Sequence, residues 1–418
     1  MTAVTTASGV ASYAITATLG TLASGNYSFG FVDGALAVTK APLTVTADAK
    51  SRAYGVAEPT FTATLTGFVN GETLATSGVS GTAAVSTTAT LTSAAGTYPL
   101  SPALGTLNAS NYAFTTFTNG TLTIGQASQT ITFGTLANKT YGAASFTVAA
   151  TASSSLTPSY SIVSGPASLS GSTVTLTGAG TVVVRTSQAG DGNFTAATPV
   201  DQSFTVAKAT LTVTADAKSR VYGAANPTLT ATITGYVNNE TSTVISGAAA
   251  VTTATTTTSN VGGYTITAAA GTLSATNYDF SFTAGTLTVS KAALTVTAEA
   301  KSRTYGAANP ALTATLTGFL NGEALGTSGV TGTASVTTTA TGTTGVGSAT
   351  LTAAVGNLVS ANYAFANFTN GVLTITKAPL TVTANPVGRA YGAANPALTA
   401  TITMRFCHMR LKLPSKSE

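Results

Sequence analysis

This 418-residue chain has no Trp, one Cys and one His, and only 7% of its residues are charged. Ordinary globular proteins carry roughly a quarter charged residues, and here no charge at all falls between Glu72 and Lys139. The single Cys excludes a disulfide framework. The single His, His408, and the single Cys, Cys407, both lie in the last fifteen residues. The rest of the chain therefore lacks the side chains for Ser-His-Asp or Cys-His nucleophilic catalysis and for the usual zinc sites. No apolar run approaches a membrane span. The first Lys is Lys40, so no basic region precedes an apolar stretch in the manner of a signal peptide.

The net charge of +5 is partly local. Residues 404–418 hold Arg405, Arg410, Lys412 and Lys416 against Glu418, and without them 13 basic residues face 11 acidic ones. That balance leaves no nucleic-acid footprint. Thr, Ala, Gly, Ser and Val fill the chain instead. Thr and Val suit the pleated surface of a strand, and Gly and Asn supply turns. A hydrophobic content of 44% lets each segment build a core, which argues against disorder.

The strongest signal is repetition. Lys50-Ser51-Arg52-Ala53-Tyr54-Gly55 returns as Lys218-Ser219-Arg220-Val221-Tyr222-Gly223 and as Lys301-Ser302-Arg303-Thr304-Tyr305-Gly306, with a partial copy ending Tyr391-Gly392. Asn-Tyr recurs at Asn26-Tyr27, Asn111-Tyr112, Asn277-Tyr278 and Asn362-Tyr363. A fixed period of this length marks an array of small domains. Boundaries at the Leu-Thr-Val starts divide the chain into a C-terminal part-module 1–40, complete modules 41–125, 126–208, 209–291 and 292–377, and an N-terminal part-module 378–403. A tail, 404–418, breaks the pattern as a frameshift or a join to unrelated sequence would.

Each ordinary module opens on an alternating run, Leu43 to Arg52. It predicts one strand with Leu43, Val45, Ala47 and Ala49 inward and with Thr44, Thr46, Asp48, Lys50 and Arg52 in water, blunting an edge. Tyr54 to Pro59 reads as a turn, Thr60 to Thr66 as a second strand, and Asn70-Gly71 as a tight turn. No 3.6-residue apolar period occurs. The fold class expected is all-β: a tandem array of small β-rich modules of about 85 residues, sandwich or β-grasp-like.

These phrases resemble a known family. Leu-Thr-Val-Thr-Ala, Tyr-Gly-x-x-Asn-Pro, Leu-Thr-Gly-Phe/Tyr-x-Asn, Asn-Tyr-x-Phe and Gly-x-Leu-Thr-Ile are similar to the MBG repeats of the Tyr-Gly-x type, found in bacterial adhesins and filamentous-haemagglutinin-like exoproteins. Module 126–208 has Asn193-Phe194 in place of Asn-Tyr and resembles the bacterial immunoglobulin-like repeats of surface proteins. The resemblance implies a secreted or surface-anchored stalk or adhesin, with host or neighbouring-cell surface glycans or proteins as partners. It supplies no catalytic residue, cofactor or metal ligand.

Other chemistry has a plainer reading at each place. Asp48 and Glu299 are acids of the expected solvated stripe, so paired-carboxylate glycosidase chemistry has little to build on. Gly342 to Ser348 lacks the Lys of a phosphate loop. Gly190-Asp191-Gly192-Asn193 has one carboxylate, too few for calcium. Asn138-Lys139-Thr140 is a glycosylation triplet of the kind a Thr-rich chain produces by chance. Lys50 with Asn111, served by Asp48 or Glu58, is the type of pair that an isopeptide crosslink needs. The recurrent Tyr54, Tyr222, Tyr305 and Tyr391 form either a row of rings for sugar stacking or a set of rings packed on their own modules with the hydroxyls on backbone groups. The adjoining Gly and Pro are turn chemistry and favour packing. Three functions remain in view: a monomeric rod-like extracellular stalk with weak adhesion, a carbohydrate-binding array, and a degraded fragment without present function. The first expects modules that touch little and unfold nearly independently.

Overall fold

A computed structural model describes residues 3–404, so the tail expectation falls outside the described residues apart from the backbone of Met404. Among those residues there is no α-helix; a single 3-10 turn, Ser242–Val244, is the only helical element. The chain forms two units, Met1–Lys208 and Ala209–Glu418.

In the first unit, module 41–125 has seven strands: β1 (Ala41–Ala47), β2 (Lys50–Ala53), β3 (Ala63–Thr66), β4 (Ala84–Thr87), β5 (Gly96–Ala103), β6 (Tyr112–Thr118) and β7 (Gly120–Gly125). One sheet runs β3-β1-β6 and the other β2-β7-β5-β4. β1 pairs with β6 and β2 with β7 in parallel, while the remaining pairs are antiparallel. Leu43, Val45 and Ala47 of the first sheet and Leu100, Leu122 and Ile124 of the second are buried. A sandwich fits this pattern, and a β-grasp does not, because no helix crosses a sheet face.

The expected single strand from Leu43 to Arg52 is in fact two. The chain leaves the first sheet after Ala47 and enters the second at Lys50. Asp48 pins the crossing: its carboxylate accepts the Thr62 and Thr64 hydroxyls at 2.5 and 2.6 Å. The two-residue step shifts the phase of the alternation. Ala49 becomes exposed, and Lys50 and Arg52 pair with Leu122 and Ile124, whose side chains are buried. Arg52, Arg220 and Arg303 are thus 7–8% exposed, the reverse of the expected water-facing stripe.

Module 126–208 has a four-stranded sheet in which Gly180–Ser187 and Val200–Ala207 are central. A three-stranded sheet and a short pair, Ile131–Phe133 with Ala150–Ala152, complete it. The part-module before residue 41 contributes one hairpin, Ala11–Ile15 with Gly34–Val38.

The second unit repeats the seven-strand plan twice, with the same strand order in both sheets of modules 209–291 and 292–377. Glycine is required at one recurrent turn: at Gly81, Gly247 and Gly332 φ is +79° to +85°, and a Cβ would lie 2.0–2.2 Å from a carbonyl oxygen across the turn. The part-module after residue 377 contributes the hairpin Leu380–Ala384 with Ala400–Met404.

Candidate functional site at the module joint

The Lys-Ser-Arg-x-Tyr-Gly phrase builds one end of a module. Arg220 donates to the Thr256 carbonyl, to Asn226 Oδ1 at 2.8 Å and to the Val221 carbonyl at 3.2 Å. Arg303 and Arg52 repeat this, with Glu58 in place of the Asn for Arg52. A buried guanidinium needs several acceptors to offset its lost hydration. It therefore ties the Tyr-Gly turn to the Thr-rich hairpin beside it.

In the second unit that end meets the next module. Tyr222, 3% exposed, packs edge-on against Tyr363 with ring centroids 5.4 Å apart. Its hydroxyl donates to Glu323 Oε1 at 2.6 Å, and the Tyr363 hydroxyl donates to Oε2 of the same carboxylate at 2.7 Å. Two rings from two modules thus share one acid. Around this clasp, Asn362 Oδ1 accepts the Val261 N–H at 3.0 Å and Asn362 Nδ2 donates to Asn260 Oδ1 at 2.9 Å. Asn321, in the left-handed region at φ 54°, donates to the Thr257 carbonyl at 3.2 Å. Gly223 lies so close to Leu320 that a Cβ would stand 2.6 Å from it. The buried cluster is continuous across the joint, with Tyr222 and Val289 joining Leu294, Leu351 and Tyr363. The expectation of modules that barely touch does not hold at this joint.

The electrostatics follow from the clasp. The bond to Glu323 and then burial hold Tyr222 above the usual tyrosine range. Burial pushes Tyr363 up to about 12, and the Glu323 carboxylate adds to the shift, while the Leu320 N–H donated to its hydroxyl opposes it. The acceptor half of the clasp recurs: Tyr112 donates to Glu72 at 2.6 Å, and Tyr278 to Glu240.

The first unit shows the same joint in two other settings. Asn193 Oδ1 accepts the Ala95 N–H at 2.9 Å, and Asn111 Oδ1 accepts the Val10 N–H at 3.0 Å. Asn70 Nδ2 donates to the Thr6 carbonyl at 2.9 Å, as Asn321 does to Thr257. Tyr54 meets Phe194 edge-on at 5.3 Å, so the ring contact persists where Phe replaces the Tyr of Asn-Tyr.

The four recurrent tyrosines are therefore not equivalent. Tyr222 is buried and Tyr54 half-buried at joints, Tyr305 is 41% exposed, and Tyr391 is fully exposed. Residues following Tyr305 and Tyr391 as Leu320–Glu323 follow Tyr222 would lie at or beyond the limit of the described residues. Sequence reasoning placed the Tyr222 hydroxyl on a backbone group of its own module; its partner is a carboxylate of the next. It missed Asn321, Glu323 and Asn362 as joint residues. A Glu that follows an Asn-containing turn and lies 38 or 40 residues before the Tyr of Asn-Tyr recurs in the three ordinary modules and was the available signal, but it does not reveal a partner about one hundred residues earlier.

The remaining candidates fall elsewhere. Asn111 is engaged by Val10, which occupies the oxygen of the residue considered for a crosslink to Lys50. Asp191 Oδ1 accepts the Asn193 and Phe194 N–H groups, a turn geometry. Asp48, Asp216 and Glu299 are held by Thr hydroxyls, and each is lowered below the ordinary carboxylate range by those bonds first. No group of three or more His, Cys, Asp or Glu that could hold a metal occurs among the described residues.

No curated protein sequence matches this one. Among solved structures, the titin I-band fragment I67–I69 is 12% identical with a TM-score of 0.24, covering 59% of this chain and 96% of that one. Drosophila N-cadherin EC1-4 is 9% identical with a TM-score of 0.20, covering 67% and 83%. The N-terminal eight immunoglobulin domains of Down Syndrome Cell Adhesion Molecule are 13% identical with a TM-score of 0.17, covering 74% and 48%. Superpositions this loose carry no inference about function. The family comparison is specific: the model of the MBG domain of YGX type matches residues 43–123, 211–288 and 294–374, more than half of the chain. On that ground, and with the Tyr-Gly turn placed at the head of each repeat, the chain belongs to the YGX-type MBG domain family.

Proposed function

We propose that this chain is a segment of a repetitive extracellular stalk of an adhesin, a non-enzymatic protein that provides reach and presents weak contacts to neighbouring surfaces. One observation carries this reading: the chemically distinctive residues of the repeat are used to join modules. Arg220 fixes the Tyr-Gly turn, and Tyr222, Asn321, Glu323 and Asn362 fasten it to the following module. Asn111 and Asn193 make the same kind of link in the first unit. At the joint between modules 209–291 and 292–377 the Tyr222 and Tyr363 rings are thereby withdrawn from solvent, and Glu323 is half-buried. Repetition then converts modest surface contacts into avidity.

Secretion, host or neighbouring-cell glycans or proteins as partners, and a monomeric rod form are parts of the same proposal. Sugar stacking on a row of tyrosines is the second reading, and exposed Tyr305 and Tyr391 are the rings available to it. Solution scattering tests the main reading. A rod adding roughly 25–35 Å per module, the length of a seven-to-nine-residue strand with its turns, is the expected result. A compact particle refutes the stalk.

A further inference from the structure

The chain enters and leaves each MBG module through internal strands. It enters module 41–125 by β1, which lies between β3 and β6, and leaves by β7, which lies between β2 and β5. Modules 209–291 and 292–377 share this order. In module 209–291 the entry strand Ala209–Ala215 lies between Ala231–Thr234 and Tyr278–Thr283, and the exit strand Gly285–Ser290 lies between Lys218–Val221 and Gly262–Ala269. The entry strand runs parallel to Tyr278–Thr283, and Lys218–Val221 runs parallel to Leu287–Ser290. Backbone bonds extend both ladders: Ala209 N–H donates to the Asn277 carbonyl at 3.0 Å, and Tyr222 N–H to the Ser290 carbonyl at 2.8 Å. Ladder bonds lie across the strand axis. Tension between residues 209 and 290 pulls each of these strands along its axis, so the bonds on both of its sides are sheared together. None can be peeled singly from an open edge.

Module 126–208 is entered differently. Its first segment makes one parallel bridge, Ala127 with Phe194. A three-residue strand follows, Ile131–Phe133, which pairs on one side only, with Ala150–Ala152. Lys139–Thr140, the counterpart of Lys218–Val221, is two residues long. Side-chain ties stand in for the missing ladder: Gln129, 6% exposed, donates from Nε2 to the Thr195 carbonyl at 2.8 Å and accepts the Ser154 hydroxyl at Oε1. The exit strand Val200–Ala207 is internal, as in the other modules, so the weak side is the entry side.

We propose that the array is a graded mechanical device: under tension module 126–208 opens first and lengthens the chain, while the three MBG modules stay folded and bear the load. Forced unfolding is governed by the unfolding rate rather than by equilibrium stability. That rate is slowest where the most bonds must break together, which is on the long, two-sided entry ladders of the MBG modules. It is fastest where the entry strand is short and held on one side, at Ile131–Phe133. An early-yielding module in series with stiff ones limits the load that reaches them. The use of this device rests on the stalk reading, but the order of opening does not.

The test stretches the full chain in optical tweezers between thiol handles at Lys40→Cys and Lys377→Cys, in a Cys407→Ser background. About twenty Gly and Ser residues inserted after Gly171, in an exposed turn, lengthen the release of module 126–208 by roughly 70 Å and so identify it. The long release is expected first in each extension, followed at higher force by three releases of ordinary length. Gln129→Ala is expected to lower the first force and leave the other three unchanged. A long release that falls among or after the others overturns the proposal, as does an unchanged first force in the Gln129→Ala chain. A second axis tests the shear account without altering the fold. Handles at Thr258→Cys and Lys291→Cys load the adjacent ends of Gly262–Ala269 and Gly285–Ser290 and peel this antiparallel pair from one end. Module 209–291 is expected to yield on that axis at a lower force than end to end, and equal forces on the two axes overturn the account. Solution scattering of the unloaded chain judges the stalk reading separately, so a failed stalk and a failed order of opening are told apart.

Discussion

The hydroxyl of Tyr222 stands 2.6 Å from Oε1 of Glu323, a residue 101 positions later and in the next module. With the Tyr363 hydroxyl on Oε2, this bond makes a single carboxylate the meeting point of two repeats. It gives the signature tyrosine a role that a single module cannot display.

Removing the Tyr222 hydroxyl alone tests the clasp. Tyr222→Phe keeps the ring against Tyr363 and deletes one donor to the carboxylate. A hydrogen bond to a charged group contributes about 1.5–3 kcal/mol, and denaturant unfolding of a 209–377 fragment is expected to report a loss in that range. Glu323→Gln should cost a similar amount, and the double variant less than the sum of the two.

Alkaline titration supplies a second check. Tyr363 is raised to about 12 and Tyr222 is raised as well, both above the ordinary value near 10. The fold therefore favours the protonated phenols. The stability they contribute is fully present below about pH 10 and is lost as pH rises toward 12. Absorbance at the tyrosinate band should show a late-ionising class, and its loss of protons should coincide with opening of the joint. Tyr222→Phe and Tyr363→Phe should each remove part of that late class.

Acid acts through different residues. Asp48 and Asp216 are lowered first by their Thr hydroxyl bonds, and Glu299 likewise by Thr313. Their contribution is present above the ordinary carboxylate range and is lost as pH falls through the lowered values. Asp216→Asn should flatten the acid limb of the stability profile by removing that contribution near neutrality while leaving stability in strong acid little changed. The chain already makes this exchange: Asn385 stands at the same position and bonds Thr399 and Thr401.

The buried arginines should be sensitive to truncation. Arg303→Ala leaves the Thr341 carbonyl and Asn309 without their donor. A loss of about 2–4 kcal/mol is expected from an abandoned charged hydrogen-bond set, measured by thermal or denaturant unfolding. Arg303→Lys should recover little of it, since an ammonium does not span three acceptors in a plane.

Much of the architecture was readable because strand chemistry is local. Thr-Val alternation, Asn-Gly turns and the spacing of Asn-Tyr predict short strands in a repeating order, and Tyr112, Tyr278 and Tyr363 are buried as the pattern implies. The inward arginines were not readable, since a sheet change at Asp48-Ala49 reverses the phase without interrupting the alternation. The joint was not readable either: the partners of Tyr222 are distant in sequence, and each repeat viewed alone offers a plain turn tyrosine.

The most direct measurement compares Tyr222→Ala in a lone 209–291 module and in a 209–377 pair. In the pair Tyr222 is covered by Leu320, Glu323 and Tyr363, so truncation there should cost about 2–4 kcal/mol and uncouple the unfolding of the two modules. In the lone module that cover is missing, and the same substitution should cost far less. Equal losses in both would contradict a role at the joint. An unchanged pair that has lost sugar binding would contradict it in favour of a carbohydrate site.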